Sequence, residues 1–130
     1  ATLGTFYAQT GMITLEATVA AISNGAVSCA LLAVNNIRDI EGDTKSGKLT
    51  LAVRMGDTRA RRFYMLLIFI AIFSGFIVTI LASLSVVLAI PLLSQIRYLK
   101  ERNLIQTLAA TGRFQLILGG LISIGAIINL

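Results

Sequence analysis

Long uncharged runs alternate with short charged ones along this chain, and the alternation sets the number of helices it predicts. Residues 17–36 carry no charge. At about 1.5 Å per residue they are long enough to cross a hydrocarbon core of about 30 Å, so they predict a first span. Residues 63–96 then run for 34 positions without a charge, too long for one crossing at ordinary tilt. They predict a helical hairpin, with arms at 63–80 and 84–96 and a turn near 81–85. Residues 114–130 make a last span, and residues 5–7 read as the end of an earlier one. The expected fold class is all-α, a multi-pass transmembrane helix bundle, with a charged loop at 37–62 between the first two spans. No internal repeat or low-complexity run interrupts the pattern.

Composition and charge sharpen this picture. The chain is 56% apolar and only 13% charged, against roughly 25% charged for a soluble domain. Its net charge of +5 is not spread as a nucleic-acid surface would require. All Lys and Arg residues lie in two blocks, Arg38 to Arg62 and Arg97 to Arg113. Basic clusters between apolar spans mark cytoplasmic loops, so no nucleic-acid partner is expected. The surplus positive charge should face anionic headgroups or an anionic substrate, in the inner membrane of a prokaryotic cell. Two cytoplasmic blocks must be separated by an even number of crossings, which the hairpin supplies. The last residue then lies outside.

Single residues close off other classes. Without His the usual zinc sites and a Ser-His-Asp apparatus are excluded. Cys29, the one cysteine, allows no disulfide and is expected to be a buried small hydrophobe. Ser23, Asn24, Gly25 and Ser28 form a small, polar stripe suited to close helix approach or to lining a cavity. Pro91 is expected to kink the third span. The opening residues lack an initiator Met and the basic region of a signal peptide, so the sequence is expected to be part of a longer protein.

The candidate chemistry lies in the charged loop. Asn35, Asp39 and Asp43 are spaced i, i+4, i+8, which on a helix leaves their side chains near one face, about a turn apart. Gly42, Gly47 and Lys48 match the start of a P-loop. Leu49 stands where Ser or Thr should bind magnesium, however, and Asp43 would repel the phosphates, so that reading fails. A calcium EF-hand loop from Asp39 fails as well, with Thr44 where Gly is needed and Thr50 where Glu is needed. Magnesium–diphosphate chemistry survives. Magnesium takes oxygen ligands, normally one or two carboxylates plus substrate phosphates. Asp39 and Asp43 would supply carboxylates and Asn35 a neutral oxygen, while Lys45, Lys48 and Arg38 or Arg54 would offset the diphosphate charge. Gly42 and Gly47 would let the backbone turn beside the anion. The spacing alone fits a solvated loop at the membrane edge equally well.

The same residues resemble a known family. Asn35-Asn36-Ile37-Arg38-Asp39 through Asp43, then Gly47-Lys48, Thr50-Leu51-Ala52 and Gly56, is similar to the second aspartate-rich motif of the UbiA superfamily of intramembrane prenyltransferases. The form is nearest to the menaquinone-pathway branch, and residues 1–7 look like the end of that family's fifth helix. The resemblance implies that 1–130 is the C-terminal part of one domain, the last four helices of a nine-helix bundle. It implies transfer of a prenyl group from a polyprenyl diphosphate to 1,4-dihydroxy-2-naphthoate, with loss of carbon dioxide and diphosphate, to give demethylmenaquinol. It implies a magnesium cofactor held by Asn35, Asp39 and Asp43, with Asp39 and Asp43 catalytic and Lys48, Lys45 and Arg38 on the diphosphate. Tyr7 would be either an interfacial anchor or a ring facing the allylic cation. A sister enzyme using homogentisate or 4-hydroxybenzoate would share this loop, and a non-enzymatic membrane protein would tolerate its loss. The family's first aspartate-rich motif has no counterpart here, so residues 1–130 alone, without the N-terminal half, are expected to be inactive.

Overall fold

The computed structural model describes residues 2–98 and 104–128, which are helical almost throughout. A short helix α1 (Thr2–Thr10) is closed by Gly11 in a left-handed conformation, and α2 (Leu15–Arg38) follows. The hydroxyl of Thr14 accepts the Ala17 N–H and so caps α2, with Glu16 in the first turn, where the helix dipole favours an anion. Next come two short helices, α3 (Ile40–Lys45) and α4 (Leu51–Met55), then the long α5 (Asp57–Val78). A 3-10 segment (Ile80–Ser85), α6 (Val86–Tyr98) and α7 (Leu104–Ile128) complete the order, with no strand among the described residues. Three helices, α2, α5 and α7, are long and apolar enough to cross a membrane.

The bundle is centred on α2. Its residues Val27, Ala30, Val34 and Ile37 recur every three or four positions and are fully covered by α5 and α7. Tyr64, Ile68 and Ala71 answer from α5, Phe114 and Leu118 from α7, and Leu92 and Ile96 from α6. On the outer side of α5, Leu66, Phe69, Phe73, Phe76 and Ile77 are exposed, a continuous apolar face suited to hydrocarbon rather than water.

The long uncharged run does form a hairpin. Near its base, Arg61 of α5 donates to the carbonyl of Ile96 at the far end of α6 (2.6 Å). Near its tip, a Cβ on Gly75 would come 3.2 Å from Ala82. Fourteen residues separate those contacts on each arm, about 21 Å along α5, so the arms lie side by side. The turn expected at 81–85 is the 3-10 segment, preceded by an extended Thr79.

Three details differ from the sequence reading. Helix α5 starts at Asp57, not 63, because Asp57 and Arg61 pair at i, i+4 and carry the helix through the charged layer before the apolar part begins. Helix α7 starts at Leu104, not 114, and holds Arg113 on an exposed face. Absence of charge marks the embedded part of a helix, not its ends. Of the basic block at 97–113, residues 99–103 lie outside the described residues, as do residues 129–130 of the expected last span and Ala1. Cys29 is exposed rather than buried, because it lies at a half-open cavity beside α2 and not in the packed core.

The polar stripe of α2 makes contacts between helices. Ser23 donates to the Ala71 carbonyl (2.7 Å), fully buried. The Gln115 amide of α7 donates to both Asn24 (3.2 Å) and Ser28 (3.0 Å). Gly25 has open space around it, so the close approaches fall to Gly75 and Gly125 instead. Helix α6 continues through Pro91.

Candidate functional site: the charged loop at the head of α2

Asn35, Asp39 and Asp43 are linked by successive one-turn hydrogen bonds. The Asp39 N–H reaches the Asn35 carbonyl (3.2 Å) and the Asp43 N–H reaches the Asp39 carbonyl (2.8 Å). The turn-by-turn spacing therefore persists although α2 ends at Arg38 and α3 begins at Ile40, with Asp39 as the junction (φ −96°, ψ 4°).

Beyond α3 the chain makes a Schellman stop. Gly47 takes φ +74°, its N–H bonds the Thr44 carbonyl (3.2 Å), and the Lys48 N–H bonds the Asp43 carbonyl (2.8 Å). A left-handed residue is required there, which is why Gly occupies it. Gly42, by contrast, lies inside α3 with an ordinary backbone, so the turn expected there is absent. The stop carries Lys48 back over Asp43, its Nζ 3.8 Å from the carboxylate. Thr50 then caps α4 by accepting the Val53 N–H (3.4 Å).

The result is an open concavity of about 550 Å³ that gathers Arg38, Asp39, Asp43, Lys45 and Lys48, together with Glu41. Its cations and anions are already matched. Arg38 holds Asp39 with two parallel bonds, Nε to Oδ1 at 2.7 Å and Nη2 to Oδ2 at 2.8 Å, the fork geometry that suits carboxylate and phosphate alike. Lys45 pairs with Glu41 one turn away, and Lys48 approaches Asp43. Asp43 is the more covered acid, its side chain 13% exposed against 40% for Asp39. The Arg38 hydrogen bonds hold the Asp39 carboxyl below its ordinary pKa, with burial opposing and the charges of Arg38 and Lys48 assisting. Lys45 does the same for the exposed Glu41.

Asn35 and Arg54 do not line this concavity. Among the described residues no group of three acidic, His or Cys side chains is poised around one metal ion. Asp39 and Asp43 are oxygen donors of the type magnesium takes beside substrate phosphates, and Asn35 stands a turn before them. The sequence reading did not foresee that Arg38 would occupy both oxygens of Asp39. The adjacency of the two residues in the chain was the available signal. Tyr7 stands exposed on α1.

An all-α, multi-pass integral membrane bundle with a charged, oxygen-rich loop at the head of one span is the class this architecture defines. The chain belongs to the UbiA prenyltransferase family, whose model matches residues 1–118. It is 44% identical over 71 residues to a 1,4-dihydroxy-2-naphthoate octaprenyltransferase of Mycobacterium tuberculosis, covering 55% of this chain and 24% of that protein. It is 38% identical over 97 residues to the protein of that name in Haemophilus influenzae, covering 71% and 32%. The Escherichia coli counterpart is 35% identical over 102 residues, covering 74% and 33%. The chain thus spans between a quarter and a third of the length of these relatives. No solved structure matches it.

Proposed function

We propose that this chain supplies part of the diphosphate site of a membrane prenyltransferase that moves a polyprenyl group from its diphosphate onto 1,4-dihydroxy-2-naphthoate. The concavity of Asp39, Asp43, Arg38, Lys45 and Lys48 carries the reading. It joins two carboxylates that can share a cation with phosphate oxygens to three cations that can neutralise the rest of a diphosphate. The names of the similar proteins support the acceptor.

Asp39 and Asp43, with Asn35, would hold magnesium, which when bound would act as a Lewis acid on the leaving diphosphate. Arg38 is already set in fork geometry and exchanges its carboxylate partner for a phosphate, freeing Asp39. Lys48, positioned by the Gly47 turn, and Lys45 follow the charge that develops as the allylic carbon–oxygen bond breaks. That bond's electron pair leaves with diphosphate. The electron-rich ring then forms the new carbon–carbon bond, and loss of carbon dioxide restores aromaticity, giving demethylmenaquinol. The basic blocks support a cytoplasmic side for this loop, and further oxygen ligands would come from the rest of a full-length protein.

The test is product analysis of the full-length protein given a polyprenyl diphosphate and equal amounts of dihydroxynaphthoate, homogentisate and 4-hydroxybenzoate. Decarboxylated prenyl naphthoquinol as the dominant product is expected. A dominant product from another acceptor, or none, would overturn the assignment.

A further inference from the structure

A second cavity lies beside the charged loop, on the neighbouring side of α2, and the loop chemistry leaves it unused. It encloses about 180 Å³ between α2, α4 and α5, half-open, and is lined by Cys29, Ala33 and Asn36, by Ala52 and Met55, and by Phe63 among others. Its surface is almost wholly hydrocarbon. We propose that this cavity holds the aromatic ring of the prenyl acceptor, with Asn36 fixing a ring hydroxyl, Phe63 against the ring and Met55 at its edge. The inference rests on the prenyltransferase reading above and adds the place and residues of acceptor recognition.

Position is the first argument. Asn36 lines the cavity, and Asp39 lines the charged concavity one turn further on. Residues at i and i+3 of a helix stand about 5–6 Å apart at Cβ, so the two spaces adjoin at the head of α2. On the other side, Leu51 of the cavity follows three residues after Lys48. A ring seated there lies next to a diphosphate held by the loop, as carbon–carbon bond formation at the departing allylic carbon demands.

Size is the second. A dry protein cavity of about 150 Å³ is known to accept a benzene ring. A space of about 180 Å³ suits one or two fused rings and is too small for a polyprenyl chain. Chemistry is the third. A flat ring gains from the Phe63 ring and from the Met55 thioether, which favours aromatic edges. The Asn36 amide is the one strong hydrogen-bonding side chain in the lining, and it makes no hydrogen bond to another described residue. It offers both a donor and an acceptor to a phenolic hydroxyl, and leaves the acceptor's carboxylate to face the loop cations.

The experiment uses the full-length protein. Ala33→Phe fills the cavity and Asn36→Ala removes its polar anchor. Each is expected to raise KM for the naphthoate by about tenfold while KM for the polyprenyl diphosphate stays within about twofold. In the wild type, alkylation of Cys29 by N-ethylmaleimide, followed on its peptide by mass spectrometry, should be slowed by saturating naphthoate and not by the polyprenyl diphosphate. Protection by the polyprenyl diphosphate alone, by neither compound, or a KM rise confined to the diphosphate would overturn the proposal. If the full-length protein prenylates 4-hydroxybenzoate or homogentisate instead, the functional reading fails, and protection of Cys29 by that acceptor still supports the cavity assignment.

Discussion

Asp39 shows how far a single residue could be read in advance. Its place one turn after Asn35 and one before Asp43 follows from counting, and the backbone bonds preserve it. Its two-point pairing with Arg38 does not follow from counting, because it depends on α2 breaking at that residue. The pairing has a pH consequence. A carboxyl whose pKa is lowered on folding gives its stabilisation above the ordinary value near 3.9, and loses it as pH falls through the lower folded value. The Arg38–Asp39 pair should therefore persist from neutral pH to about pH 5, so any loss of activity across that window must come from another group. The kcat/KM profile of the full-length enzyme checks this, and a profile in which Asp39→Asn abolishes an acid limb between pH 5 and 7 would contradict it. The two loop glycines give a paired prediction. Gly47→Ala places a Cβ on a positive φ in otherwise open space, so its cost is backbone strain of about 1 kcal/mol. Gly42→Ala sits in a helix with the same open space and should be neutral or stabilising by a few tenths of that. Thermal unfolding of the two variants should separate them in that order.

At the scale of elements, legibility followed the period of the sequence and failed where shape decided. The first span and the hairpin turn were visible, because length and the absence of charge encode them, whereas the cap at Thr14 was passed over. The close approaches were not visible either. Gly125 of α7 was passed over, yet a Cβ there would lie 2.3–2.6 Å from the Thr79 side chain, so this glycine sets how near α7 comes to the hairpin tip. Gly125→Ala should destabilise the full-length protein by about 1–3 kcal/mol through overpacking, and Gly125→Ala with Thr79→Gly, which removes all three crowding atoms, should recover part of the loss. Equal melting of the single and double variants would refute that account. The buried Tyr64 hydroxyl meets Thr111 of α7 at 2.7 Å, and Thr111 also donates to the Thr107 carbonyl (2.7 Å). This pair lies just past Arg62 on α5 and just before Arg113 on α7, so both helices leave the charged layer at the same level. Tyr64→Phe leaves Thr111 its Thr107 bond, and should cost only about 0.6 kcal/mol, the usual worth of such a bond in a membrane bundle.

The whole molecule is a helix bundle whose charge is concentrated at one end of its principal spans, and its topology was the most legible feature. Two basic blocks and an uncharged run too long for one crossing required a hairpin, and Arg61 reaching across to Ile96 closes it. The candidate site was legible only as a line of residues. Its depth comes from a helix break at Asp39, a Schellman stop at Gly47 and a capped turn at Thr50, three local events that together fold Lys48 over Asp43 and set α4 above an apolar cavity. Their combined geometry is not a property of any one spacing. The account stands on that loop as the place where a divalent cation and a diphosphate meet. The most direct test is the magnesium dependence of diphosphate release by the full-length protein and its Asp39→Asn and Asp43→Asn variants. Each variant should lower kcat by about 100-fold or more and raise the magnesium needed for half-maximal rate; two variants that keep the wild-type rate and magnesium dependence would contradict the assignment.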